Sequence, residues 1–78
     1  MIPNRVFATS KLKRIVIPSS VEVIGSYAFF NCHHLESLLF EPNSQLEEIQ
    51  QTAFRETKIS SIFIPQTVTY IHGTAFTL

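Results

Sequence analysis

The sequence has no aspartate and no tryptophan, a single cysteine and only two glycines among 78 residues. Each shortage removes a class of function. Without aspartate there is no Ser-His-Asp triad and no paired-aspartate machinery. Gly25 and Gly73 are too few to build a glycine-rich phosphate loop. Cys32, being alone, closes no intramolecular disulfide and completes no Cys-x-x-Cys metal or redox pair. The longest uninterrupted apolar run, Tyr27 to Phe30, is four residues, far short of the roughly 20 that a membrane-spanning helix needs. Met1-Ile2-Pro3-Asn4-Arg5 is not the hydrophobic stretch of a secretory signal. Six basic and six acidic groups cancel, which leaves no general electrostatic drive toward nucleic acid or anionic lipid. A compact domain of this length buries only about 60% of its unfolded surface, so one core without staples is marginal.

What the chain does have is a repeat. Three nonamers end in Ala-Phe: Val21 to Phe29, Leu46 to Phe54 and Val68 to Phe76, all reading apolar-x-x-Ile-x-x-x-Ala-Phe. Upstream of each lies a block that reads apolar-x-x-apolar-x-apolar and is followed by proline: Leu12 to Pro18, Leu35 to Pro42 and Ile59 to Pro65. Sliding Phe7–Phe29 onto Phe54–Phe76 matches nine of 23 positions without a gap, and all but one lysine are apolar, small or proline. A shared architecture repeats buried and turn-forming residues, whereas a shared catalytic site would repeat polar ones. Spacings between the phenylalanines are 22, 25 and 22 residues. The middle unit carries one extra residue in Phe30 to His34 and two more in Phe40 to Gln45, which marks both segments as loops.

Ile15-Val16-Ile17, Leu38-Leu39-Phe40 and Ile62-Phe63-Ile64 are short β-branched or aromatic runs and predict three strands. Pro18, Pro42 and Pro65 then end the pairing, because proline has no N–H to offer a ladder. The nonamers carry apolar residues at helical spacing but also β-branched residues that favour extended chain. They predict a short extended piece running into one helical turn near Ala28-Phe29 and its equivalents.

The pattern Leu-x-x-Ile-x-Ile-Pro-x-x-Val-x-x-Ile-Gly-x-x-Ala-Phe-x-x-Cys-x-x-Leu, seen in Leu12 to Leu35, resembles the BspA-type leucine-rich repeat family. Gln50 and His72 depart from it at the Gly25 position, and neither Arg55-Glu56-Thr57 nor Ala8-Thr9-Ser10 supplies the cysteine. The resemblance implies a repeat solenoid: a short parallel β-sheet on the concave face, with turns and short helical or extended segments on the convex face. About three coils are expected, with units near residues 7–28, 29–53 and 54–76, as a fragment of a longer array. Its uncapped ends are expected to make the isolated chain weakly stable or self-associating.

On that frame Leu12, Ile15, Ile17, Leu35, Leu38, Phe40, Ile59, Ile62 and Ile64 point inward. Period-two alternation sends Val16, Leu39 and Phe63 to the concave surface in one column, with Arg14, Ser37 and Ser61 in the next. These six are the expected partner-binding residues. An apolar line flanked by polar side chains has the character of a protein interface, although exposed apolar residues of good β propensity also need no function. Cys32-His33-His34 suggests a metal site only superficially: consecutive side chains diverge, and no second ligand pair stands at zinc spacing. Cys32 reads as a small buried hydrophobe, His33 and His34 as solvated turn residues, and His72 as exposed in the last turn. Arg5, Lys11, Lys13 and Arg14 precede an acidic middle unit of Glu36, Glu41, Glu47 and Glu48; cross-coil pairing, with Lys13 opposite Glu36, is expected, and steering of a charged partner is the alternative.

The expected function is a non-catalytic interaction module whose partner is a protein or surface ligand. No cofactor, metal or nucleic acid is implied, and no membrane insertion in this segment. Similarity to the family implies a cell-surface or secreted setting and adhesion. The alternative is a structural spacer or an intracellular regulatory scaffold; an enzyme is the third reading.

Overall fold

The computed structural model describes residues 1–76. Five short strands form two parallel ladders: β1 (Arg14–Ile17) pairs with β3 (Ser37–Phe40), and β2 (Val23–Ile24), β4 (Glu48–Ile49) and β5 (Tyr70–Ile71) pair in that order. Every pairing joins one repeat to the next. Arg14 pairs with Ser37 but Val23 pairs with Glu48, so the offset grows from 23 to 25 between the two ladders. The two residues gained there are those of the Phe40–Gln45 insertion, which loops out around Asn43 at φ 63°.

Between the ladders the apolar columns meet in one core. Ile17, Ile24, Ala28, Phe29, Cys32, Leu35, Leu46, Ile49, Ala53 and Ala75 are excluded from solvent, and Ile59, Ile62 and Ile64 pack against them. Along the stack Phe7 and the three Ala-Phe phenylalanines lie ring on ring. Phe7 to Phe29, Phe29 to Phe54 and Phe54 to Phe76 have centroids 5.3, 5.2 and 5.1 Å apart and planes within 15° of parallel.

The helical turn expected near Ala28-Phe29 is not there; the segment is a run of turns. Ala28, Phe30 and Cys32 donate backwards to Gly25, Tyr27 and Phe29, while the intervening Tyr27, Phe29 and Asn31 donate across to Gln51, Ala53 and Arg55 of the next unit. A helix needs every N–H for its own i−4 carbonyl, so giving alternate donors to a neighbour excludes it. The backbone pays for this alternation with left-handed residues at matching positions: Arg5, Tyr27 and Thr52, then Thr9, Asn31 and Glu56, all with φ between 58° and 62°.

The third strand, expected at Ile62–Ile64, also fails to join the sheet. Among the described residues no backbone bond links residues 59–66 to β3. Lys58 N–H donates to Leu35 O at 3.0 Å at the start of this segment, Ile62 and Ile64 pack against the core and Phe63 between them is exposed, so the segment keeps the inward–outward alternation of a strand without the ladder.

At the other end residues 2–9 make a partial unit that the repeat reading overlooked. Ile2 forms a parallel bridge to Ile24, and Phe7 begins the ring column. Asn4 Oδ1 accepts from Ser26 N–H at 2.9 Å. Gly25 is required here by close approach: a Cβ would lie 2.7 Å from Ile2 O and 2.5 Å from Asn4 Oδ1.

Two stability measurements follow. Phe29→Ala removes a ring stacked on both sides and should cost about 3–5 kcal/mol, a large part of the roughly 4–12 kcal/mol expected for a domain of this size. Phe7→Ala, stacked on one side, should cost distinctly less in the same urea melt. Glu56→Asn relieves an exposed left-handed glutamate and should raise stability by about 0.5–1 kcal/mol.

Candidate functional site

Strand alternation on β1 and β3 sends one set of side chains into the core and the other to solvent. Ile17 and Leu38 are buried, whereas Val16 and Leu39 are 55% and 60% exposed and stand directly opposite in the ladder. Phe63 is 77% exposed. Arg14 and Ser37 are likewise paired and exposed. Ser61 is exposed too, but it and Phe63 lie on the segment without a ladder bond to β3. Four of the six expected residues, Arg14, Val16, Ser37 and Leu39, therefore share the outer face of the β1–β3 ladder, and the other two are exposed on the segment beside it.

Two open grooves flank this line. One, of about 360 Å³, lies at the start of β1 and β3 between Lys13, Arg14 and Val16 on one side and Glu36, Ser37 and Leu39 on the other. The second, also about 360 Å³, lies where the third unit diverges from β3, between Phe40, Pro42 and Ser44 and the facing Phe63, Pro65 and Thr67. Lys13 and Glu36 do stand opposite, joined by a backbone bond from Glu36 N–H to Lys13 O of 2.9 Å. At the far rim Glu41 Oε1 accepts from Ser19 N–H at 2.8 Å, which fixes that carboxylate across the two units. The second groove was missed from sequence, because it is bounded by a loop and a segment without ladder bonds and follows no motif. The partial unit at the start had a readable signal: Ile2 to Phe7 repeats the spacing of Ile24 to Phe29.

The nucleophilic and metal-ligating residues do not converge. Cys32 is wholly buried, and its Sγ donates to Phe7 O at 3.0 Å, bridging two units. His33 and His34 are exposed beside it. His72 corrects the expectation of an exposed turn residue: it is half-buried, and its Nδ1 lies 3.0 Å from Thr74 Oγ1 and accepts from Thr74 N–H at 3.2 Å. Among the described residues no three His, Cys or acidic side chains gather in one place. None of the elements is a helix able to cross a membrane.

Short parallel strands joining each unit to the next, around one continuous core, define a repeat protein. The family model for the BspA type leucine-rich repeat region matches residues 1–78, with six copies. The chain belongs to that family. It is similar to the pneumococcal vaccine antigen PcpA, at 32% identity and a TM-score of 0.92 over 95% of this chain and 18% of that one. It is also similar to a leucine-rich repeat protein from Bacteroides capillosus, at 20% identity and a TM-score of 0.62, over 91% of this chain and 62% of that one. The second likeness is one of fold. The chain thus spans less than two thirds of either protein. No curated protein matches the sequence.

Burial makes a prediction for Cys32. A water-soluble disulfide reagent should modify it about 100-fold more slowly in the native chain than in denaturant, because attack requires local opening. Thiol release followed spectrophotometrically in both conditions measures the ratio.

Proposed function

We propose that the chain is a non-catalytic interaction module, a segment of a solenoid whose β1–β3 face is the concave side and binds a protein or cell-surface ligand. The observation that carries this reading is the line of Val16, Leu39 and Phe63. Three large apolar side chains lie in solvent on a chain that buries their neighbours. Arg14, Ser37 and Ser61 flank them and supply polar contacts at the rim. The likeness to a vaccine antigen supports a surface or secreted setting and a role in adhesion. The family's repeat pattern, whose shared residues are structural, supports a non-enzymatic role.

The competing reading, a spacer that holds other parts of a longer chain apart, rests on the ordinary β propensity of those same residues. Leu39→Ser with Phe63→Ser separates the two. Both side chains are more than half exposed, so the urea midpoint should change little. Adhesion of beads coated with the chain to cultured epithelial cells should weaken at least tenfold, equivalent to about 1.4 kcal/mol. Undiminished adhesion with the fold retained would favour the spacer.

A further inference from the structure

Backbone groups along β1 are satisfied on one side only. Ser37 N–H donates to Lys13 O and Glu41 N–H to Ile17 O, so in this parallel ladder Ile15 and Ile17 turn their N–H groups to β3 while Arg14 and Val16 turn theirs away. β1 ends a two-stranded sheet, and among the described residues the N–H and C=O of Arg14 and Val16 have no partner. The partial unit of residues 2–9 does not cover this edge. It bridges to β2 through Ile2 and stacks Phe7 on Phe29, and none of its backbone bonds reaches residues 14–17. Burial records the same step. Phe7, Leu12 and Ile15 are half-buried, whereas Phe29, Leu35 and Leu38, their counterparts one unit on, are 0%, 0% and 3% exposed. Beside β1 there is therefore an apolar step, floored by Leu12 and Ile15 and bordered by open backbone groups.

The charge along this edge is positive. Arg5, Lys11, Lys13 and Arg14 all precede Glu22, the first acidic residue of the chain. Arg5 is engaged over the Tyr27 ring, 4.4 Å from its centroid, while Lys11, Lys13 and Arg14 are exposed at the start of β1. Glu36 lies on the side of β1 that is already paired, and Glu41 is bonded to Ser19 N–H past the far end of the strand. Lysine and arginine on an edge repel a second copy of the same edge, and they attract a strand that carries acids. We propose that the outer edge of β1 takes an extended segment of a partner protein, laid parallel to β1, with the pattern apolar-acidic-acidic-apolar-x-apolar. The parallel direction carries the Leu12, Ile15 and Ile17 columns on by one step. The two carboxylates then meet Lys13 and Arg14, and the backbone completes the ladder of Arg14 and Val16. This site is a second surface of the interaction module and does not use the exposed side chains of Leu39 and Phe63.

The probe is the peptide acetyl-Leu-Glu-Glu-Ile-Thr-Ile-amide, titrated into the intact 78-residue chain and followed by amide NMR. In the free chain the Arg14 and Val16 amides should exchange at least about tenfold faster than those of Ile15 and Ile17, which face β3. Saturating peptide should slow the first pair by at least about tenfold. The counterpart acetyl-Leu-Lys-Lys-Ile-Thr-Ile-amide should bind at least about tenfold more weakly, as should a version N-methylated at its first isoleucine, whose N–H is aligned with Arg14 O. A hexaglutamate amide, which carries charge without the apolar positions, should bind as weakly as these. Lys13→Gln with Arg14→Gln should weaken the acidic peptide severalfold without altering the free exchange pattern, and Leu39→Ser with Phe63→Ser should leave its affinity unchanged. Slow exchange of Arg14 and Val16 in the free chain would show the edge already paired and overturn the proposal. So would equal binding of the acidic peptide and either the lysine peptide or hexaglutamate, or no shift of these amides with about 1 mM peptide. Loss of peptide binding in the Leu39→Ser, Phe63→Ser variant would move the site to the exposed face and overturn it equally. Cell adhesion of that variant reads the other surface, so failure at the β1 edge leaves the interaction module standing.

Discussion

Ring-on-ring contact between successive units sets the dimension to which the rest of the chain conforms. The phenylalanine centroids are 5.1 to 5.3 Å apart, close to the roughly 4.8 Å that separates hydrogen-bonded strands. Because the two spacings nearly agree, one stacking step satisfies an aromatic contact on the inside and a backbone ladder on the outside together. Ala28, Ala53 and Ala75 are wholly buried beside the rings. A larger residue there would force adjacent units apart and uncouple the two spacings. The Ala-Phe pair is thus a single structural device, small residue and flat residue together, and its recurrence is what makes a chain without disulfides hold a core.

Stacking also dictates how backbone groups are satisfied. Each turn segment gives alternate N–H groups to its own chain and to the next unit, so no unit completes its hydrogen bonds alone. The consequence is cooperative: a unit released from its neighbour loses ring contact and backbone partners at once. This dependence explains the tolerance of strained residues. Tyr27 and Thr52 hold a left-handed conformation that costs a non-glycine residue about 1–2 kcal/mol, and a β-branched threonine is a poor choice for it. Cross-unit bonds on either side over-determine the turn, and Thr52 Oγ1 lies 3.5 Å from Thr74 Oγ1 in the same column of the next unit.

Much of this was legible in the residues. The apolar columns, the loop position of the middle insertions and the outward placement of Val16 and Leu39 all follow from period-two alternation and from which residues repeat. What was not legible depended on partners distant in sequence. Helical spacing in Val21 to Phe29 was real, but spacing says nothing about where N–H groups go, and here half of them leave the segment. Gly25 sits in a column filled elsewhere by Gln50 and His72. Its need is the approach of Ile2 and Asn4, a contact of residues more than twenty positions away. His72 makes local bonds to Thr74.

The third unit shows that apolar packing and backbone pairing separate within one stack. Ile59, Ile62 and Ile64 pack against the core, while among the described residues the backbone of this segment makes no bond to β3. A net backbone hydrogen bond contributes only about 0.5–1.5 kcal/mol, so burial of apolar side chains holds the unit in the stack without a ladder. A groove lies beside Phe40 at this place, and Phe63 is the most exposed large apolar side chain of the described residues. The irregularity that weakens the sheet is thus what gives this face a shape of its own, distinct from a uniform stack of identical repeats.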